Sequence, residues 1–268
     1  MRSAIYTQYR KARHSTEAMV AGFPGALETP SEPGQLADAD LHLLGGLQFG
    51  SLPLLQQIYA LRAQFVFWDR AYFGGGTHSD RLRITKNQYQ KCTVNEQAGG
   101  LHRFEAFGGR LLPWRGRASH IMVVPPSDAI LTMFVGSDLP NRQQAWIDYT
   151  LEAIRKGTDR PILVSMKGDA RPLDSRLKHC HAVVTYTSNV AVEAICAGVP
   201  AFTSHLAAAA PVAGGLHDLS NAHCIENPPM PDDATREAWA ASLAWGQFTL
   251  AEIRSGLARE VVLGRADE

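Results

Sequence analysis

Short apolar runs alternate with stretches of helical period along most of the chain, and that alternation most limits the folds open to it. In the first half, residues 3–7, 41–44 and 64–68 read as strands. Such runs, bounded by turn formers, suit strands buried on both faces. Between them Ser15 is placed as an N-cap ahead of Glu17, Ala18, Met19 and Phe23, residues 22–34 read as loop, and residues 52–63 carry apolar side chains at 54, 55, 58 and 61. In the second half, residues 121–124, 161–166, 182–185 and 199–203 read as strands. Helices are expected from about Pro140 to Gly157, over 172–179 and over 189–197. The tail, 233–264, reads as one or two helices with Trp239, Leu243, Trp245, Phe248, Ile253 and Leu257 as core.

Strand–helix–strand order predicts parallel sheets covered by helices. The Gly- and Arg-rich stretch 90–118 has no period, so the boundary is drawn there: domain one is 1–117 and domain two 118–268, with the last helix free to cross back. Ligands of parallel sheets lie outside the carboxyl ends of the strands. That rule selects residues 8–14, 69–76, 126–127, 167–168, 186–189 and 204–205.

Charge narrows the classes further. The chain of 268 residues carries 26 basic and 26 acidic side chains, which excludes a polycation that coats nucleic acid. The balance hides an asymmetry: residues 1–125 hold 14 Lys/Arg against 9 Asp/Glu, and residues 126–268 hold 12 against 17. Cys92, Cys180, Cys196 and Cys224 have no paired spacing, so reduced thiols are expected and no zinc signature is present. No apolar run is long enough to span a bilayer, and the first residues lack a signal peptide's apolar core. A soluble, cytoplasmic protein without a membrane partner is expected.

The most informative segment is HAVVTYTSNVAVEAICAGVPAFT, residues 181–203. An apolar strand runs into Thr187, Ser188 and Asn189, and a helix follows. Backbone N–H groups at a helix start favour anions, and two hydroxyls and an amide add hydrogen bonds without a metal. Glu193 lies about one turn further on, where a carboxylate accepts from ribose hydroxyls. Read alone, Ser188 and Asn189 are a helix cap and Glu193 is a surface charge.

The pattern S-N-V-A-V-E-A-I-C-A-G-V-P resembles the donor-binding element of GT-B glycosyltransferases. The resemblance implies an α/β fold of two Rossmann-like domains with parallel sheets facing across a cleft, the second binding a nucleotide-sugar donor and the first the acceptor. It assigns Thr187, Ser188 and Asn189 to the diphosphate and Glu193 to the ribose. Lys167, after the strand PILVSM, stands where such enzymes often carry a cation that offsets the leaving-group charge. Ser127, after Pro126, is a further candidate for contact with the donor or its phosphate. The donor is expected to be a UDP-sugar, a co-substrate rather than a tightly bound cofactor. The long Gly-rich loop found early in the first domain of that class has no counterpart here, since Gly74, Gly75 and Gly76 come late.

For the chemistry, Asp69 after the strand QFVFW is the first candidate base and His14 the second. The plainer alternatives are an Asp69 ion-paired to Arg70 or Arg81 and a surface His14. Asp38-Ala39-Asp40 looks like the metal motif of the GT-A fold but precedes its strand, so it reads as a strand-entry pair and metal-independent chemistry is expected. No GxSxG, P-loop or GxGxxG pattern occurs, which leaves hydrolase, P-loop and dinucleotide readings without support.

For the acceptor, residues 67–90 mix Tyr72, Phe73 and Tyr89 with Arg70, Arg81, Arg83 and Lys86. Cations bind phosphates and aromatic rings stack on bases, so the segment suits nucleic acid. The chain also resembles compact bacteriophage transferases that add sugars to 5-hydroxymethyl pyrimidines such as 5-hydroxymethylcytosine in DNA; that resemblance implies double-stranded DNA as the acceptor, with the base flipped out. A surface or capsular polysaccharide glycosyltransferase is the alternative, because the same donor element resembles those enzymes equally well. A non-catalytic nucleotide- or DNA-binding module is the third reading.

Overall fold

The computed structural model describes residues 1–7, 13–32, 34–47, 50–74, 80–92, 100–116, 118–136, 141–169 and 171–264. The chain is α/β throughout and divides into two compact units, Met1–Gly99 with Ala241–Glu268, and Gly100–Ala240. The sequence reading put its boundary at 117/118; residues 100–116 group with the second unit.

The first unit runs β1 (Ser3–Thr7), α1 (Arg13–Gly22), β2 (Leu27–Pro30), β3 (Leu41–Gly45), α2 (Ser51–Leu61), β4 (Gln64–Arg70) and β5 (Arg81–Lys86). In the second unit follow α3 (His102–Ala106), β6 (His120–Val124), α4 (Asp128–Phe134), α5 (Arg142–Gly157), β7 (Ile162–Val164), α6 (Leu173–Leu177), β8 (Cys180–Thr185), α7 (Val190–Cys196), β9 (Ala201–Thr203), β10 (Gly214–Gly215) and α8 (Ala222–Glu226). The division falls within α9 (Asp233–Trp245), after which β11 (Gln247–Thr249), α10 (Leu250–Arg254) and α11 (Leu257–Leu263) return to the first unit.

The first sheet has six strands in the order β11-β5-β4-β3-β1-β2. Its β2, β1, β3 and β4 are parallel, whereas β5 and β11 add on antiparallel. Every residue of β3 is buried, as a strand covered on both faces requires. The core gathers Ile5, Met19, Leu43, Val66, Trp68 and Ile84 with Phe248, Ile253 and Val262 from the returning segment. Gly22 explains how closely α1 meets α10: a Cβ there would lie 2.0 Å from the Ile253 carbonyl oxygen.

The second sheet has five strands, all parallel, in the order β10-β9-β8-β6-β7. One face packs Ile121, Val123, Ala182, Val184 and Phe202 on Ile154 of α5 and Ile225 of α8. From β6 the chain goes to β7 on one side and then to β8 on the other, so the order reverses between β6 and β8. Open parallel sheets bind their ligands at such a reversal, outside the carboxyl ends.

Several local expectations are corrected. Helix α1 begins at Arg13, so Ser15 is inside it rather than capping it. Residues read as loop contain β2, and the charged stretch after Gly74 contains β5. Strand β4 runs to Arg70, which puts Asp69 in the strand. Pro140 and residues 8–12 lie outside the described residues.

Candidate functional site

The carboxyl edge of the second sheet is built from the ends of adjacent strands. Thr185, the last residue of β8, donates its hydroxyl to the Val124 carbonyl at 2.8 Å and ties the ends of β8 and β6 together. Pro125 and Pro126 then stop β6, and Ser127 precedes α4 in extended conformation with its side chain exposed. Gln143 donates to the Pro126 carbonyl at 2.8 Å and holds that loop in place. On the other side of β6, the Ser165 N–H continues the ladder to Val123 at 2.8 Å, and Lys167 is exposed on the next turn, with Gly168 at φ 93°. The Lys167 ammonium has no ion-pair partner among the described residues.

After β8 the turn Thr187, Ser188, Asn189 leads into α7 as the sequence implied, but with one difference. The Ser188 hydroxyl accepts the Val190 N–H at 3.2 Å and the Ser188 carbonyl accepts the Ala191 N–H at 3.1 Å. Part of the helix-start N–H supply is therefore used by the turn itself. Asn189, the residue before α7, has helical φ and ψ and makes no cap bond with its side chain. The Ser188 hydroxyl keeps its own hydrogen to donate. Thr187 is 5% exposed, so its hydroxyl is turned away from bulk solvent, whereas Ser188 and Asn189 are half-buried.

Glu193 stands on α7 with an exposed face, yet the packing around its carboxyl raises its pKa. Asp174 adds to that rise and Arg176 opposes it. Arg176 also donates to the Ser165 hydroxyl. The short helix α6 thus brings a cation and an anion to Glu193 and to the end of β7. The sequence places a helix over 172–179 but does not single out this pair, because which charges of so short a helix meet a neighbour depends on tertiary packing. Tyr186, half-buried at the start of the turn, has its phenol raised by burial, and its carbonyl accepts the Ser204 N–H at 3.1 Å.

In the first unit, Asp69 is ion-paired to Arg83 rather than to the side chain of Arg70 or Arg81. Its Oδ2 accepts from Arg83 Nη2 at 3.0 Å, and its Oδ1 accepts the Arg70 N–H at 2.8 Å. Arg83 is only 3% exposed, and Tyr72 beside it is 1% exposed. The Arg83 guanidinium lies 5.8 Å from the Tyr72 ring centre and 5.9 Å from that of Tyr89. Burial takes Arg83 and Tyr72 off the exposed acceptor surface that the sequence suggested, because an antiparallel β5 turns Arg83 inward opposite Asp69. Arg70 is exposed, Lys86 is half-buried, and Arg81 pairs with Asp80 at 3.4 Å. His14 is exposed in the first turn of α1, 3.6 Å from Glu17. Asp38 and Asp40 both face Arg2, which makes a 2.6 Å contact with Asp38. Among the described residues no group of His, Cys, Asp and Glu is arranged to hold a metal ion, and no helix is long and apolar enough to cross a membrane.

No protein-family model matches the chain, and no curated protein matches it. Among solved structures, Thermosulfurimonas dismutans KpsC, beta Kdo 2,7 transferase, is similar with a TM-score of 0.51 at 13% identity, covering 97% of this chain and 99% of that one. Thermosulfurimonas dismutans KpsC, beta Kdo 2,4 transferase, reaches a TM-score of 0.49 at 10% identity over 90% and 89%. Identity this low speaks to the fold, and the first of these likenesses runs over nearly the whole of both chains. The chain has the two Rossmann-like α/β units expected of the GT-B class.

Proposed function

We propose that the protein is a glycosyltransferase that moves a sugar from a nucleotide-sugar donor to a hydroxyl of a saccharide acceptor. The observation that carries this is the place of the S-N-V-A-V-E-A-I-C-A-G-V-P element: it leaves β8 at the point where the second sheet reverses its order. A fold shared with a structure named as a Kdo transferase supports the same reading. In it, Lys167 and the Ser188 hydroxyl meet the donor's phosphoryl groups, with Ser127 and the Thr187–Asn189 turn beside them, and Glu193 accepts from the ribose. The acceptor oxygen bonds to the anomeric carbon as the bond from that carbon to the phosphate oxygen breaks, and the acceptor proton passes to a base, for which Asp69 is the candidate in the first unit. The nucleotide leaves with its electron pair, and in the second unit Lys167 is the candidate to offset its growing charge.

A saccharide acceptor is favoured over hydroxymethylated DNA for a structural reason. The DNA reading drew on Arg83 and Tyr72 as a phosphate clamp and a stacking ring, and both are inside the first unit. The basic excess of the first half remains as the support for DNA. The nucleotide base is left to experiment, with a UDP-sugar as the first donor to try.

Calorimetric titration with nucleoside mono- and diphosphates tests the donor site. Saturable binding that weakens about tenfold in Lys167→Ala and in Ser188→Ala supports it, since a hydrogen bond to a charged group contributes about 1.5–3 kcal/mol. Binding equal to the wild type in both variants places the nucleotide elsewhere.

A further inference from the structure

From the geometry around Asp69 we infer that Arg83 is a positioning residue, which fixes the Asp69 carboxylate in one orientation for its work on the acceptor. The inference rests on the reading of Asp69 as the base, and it reassigns Arg83 from the acceptor surface to the support beneath the base.

Arg83 and Asp69 face each other as register partners on β5 and β4. One arm of the guanidinium reaches Asp69 Oδ2 at 3.0 Å and the other reaches the Arg70 carbonyl at 3.0 Å. The fork therefore grips the side chain of Asp69 and the backbone of the next residue together. Tyr72 and Tyr89 flank the guanidinium, so it has little room to choose another arrangement. The Asp69 side chain, 32% exposed, is where this otherwise buried group meets solvent. The residues after Asp69 are held as well: the Gln247 side chain accepts the Tyr72 N–H at 2.7 Å and donates to the Phe73 carbonyl at 3.0 Å.

Stability alone does not account for such a pair. Burying a guanidinium carries a desolvation cost, and well-packed apolar side chains often replace buried ion pairs without loss. What an apolar pair cannot do is fix a carboxylate through Oδ2, with Oδ1 held by the Arg70 N–H, and still leave a lone pair on each oxygen for a substrate. A base displaced by a fraction of an ångström loses much of its effect, so a rigid fork beneath it has a catalytic use.

The test compares wild type, Arg83→Met, Arg83→Lys, Asp69→Asn and the Asp69→Asn/Arg83→Met double variant, reading nucleotide release from a sugar donor and the melting temperature of each. Arg83→Met should lower kcat about 100-fold while the donor KM stays within about twofold, the pattern of a misplaced group rather than a lost binding contact. Arg83→Lys should recover part of that loss and remain about tenfold below wild type, since one ammonium replaces only one arm of the fork. The double variant should be no slower than Asp69→Asn, because the two residues act as one unit. Wild-type kcat in folded Arg83→Met, or losses that multiply in the double variant, overturns the inference. Should Arg83→Met fail to fold, Arg83→Lys decides: a drop in kcat at unchanged KM supports the inference, and wild-type kcat overturns it. A wild-type chain that turns over no nucleotide sugar brings down the functional reading and this inference together. An active wild type beside an equally active Arg83 variant brings down the inference alone.

Discussion

The side-chain oxygen of Gln247 accepts the backbone N–H of Tyr72 at 2.7 Å across 175 positions of sequence. The same oxygen accepts the Phe73 N–H at 3.2 Å, and the amide nitrogen donates to the Phe73 carbonyl at 3.0 Å. Gln247 is fully buried on β11, so one side chain from the returning segment fixes the backbone that follows Asp69.

Replacing Gln247 by Leu leaves three buried backbone groups without that partner. An unfolding free energy lower by at least about 2 kcal/mol is expected in urea titration, because each orphaned buried group costs about 1–3 kcal/mol. A loss under about 0.5 kcal/mol would show that the segment 71–73 is held by other contacts.

Glu226 gives a pH-dependent prediction for the second unit. Hydrogen bonds from Arg160 and Thr158 hold its carboxyl down to about 2, against an ordinary 4.5. A depressed carboxylate stabilises the fold above its unfolded pKa, and that contribution fades as pH falls through the folded value. The stability gap between wild type and Glu226→Gln should thus be about 1–2 kcal/mol near neutrality and shrink between about pH 5 and 2. Asp169, held down to about 2 by Arg171, titrates in the same range but in both proteins, so the difference isolates Glu226. A gap that stays constant through that range refutes the linkage.

Glu193 differs in sign. Burial and Asp174 raise its carboxyl above the ordinary 4.5, so it takes up a proton at higher pH than a free glutamate. If the ribose hydroxyls donate to its carboxylate, nucleotide affinity should begin to fall at a pH above the ordinary glutamate range. Glu193→Ala should weaken nucleotide binding about tenfold and flatten that pH dependence, as loss of a hydrogen bond to a charged group implies. Affinity that falls in parallel in both proteins would assign the titration to another group.

Local signals carried much of the fold. The apolar runs that became β1, β3, β6 and β8 are continuous because those strands are covered on both faces. What stayed hidden depends on distant partners. Strand β5 has no continuous apolar run, since Arg81, Arg83 and Lys86 interrupt it, and the Asp69 and Tyr pairings bring Arg83 inside. Strand β11 is three residues long and exists through its pairing with β5. At the candidate site, the turn after β8 was legible, whereas the contributions of Arg176 and Gln247 were not, since neither lies in a local pattern. The burial of Arg83 and Tyr72 shows how a mixed basic and aromatic segment can form a core rather than a binding face.

The most direct measurement offers the protein a panel of nucleotide sugars with oligosaccharide acceptors, hydroxymethylated duplex DNA and plain duplex DNA, and reads the masses of released nucleotide and product. The account predicts protein-dependent release of nucleotide with one sugar added to a saccharide acceptor. Sugar added to hydroxymethylated DNA alone would contradict the saccharide acceptor, and no nucleotide release from any donor would contradict the account as a whole.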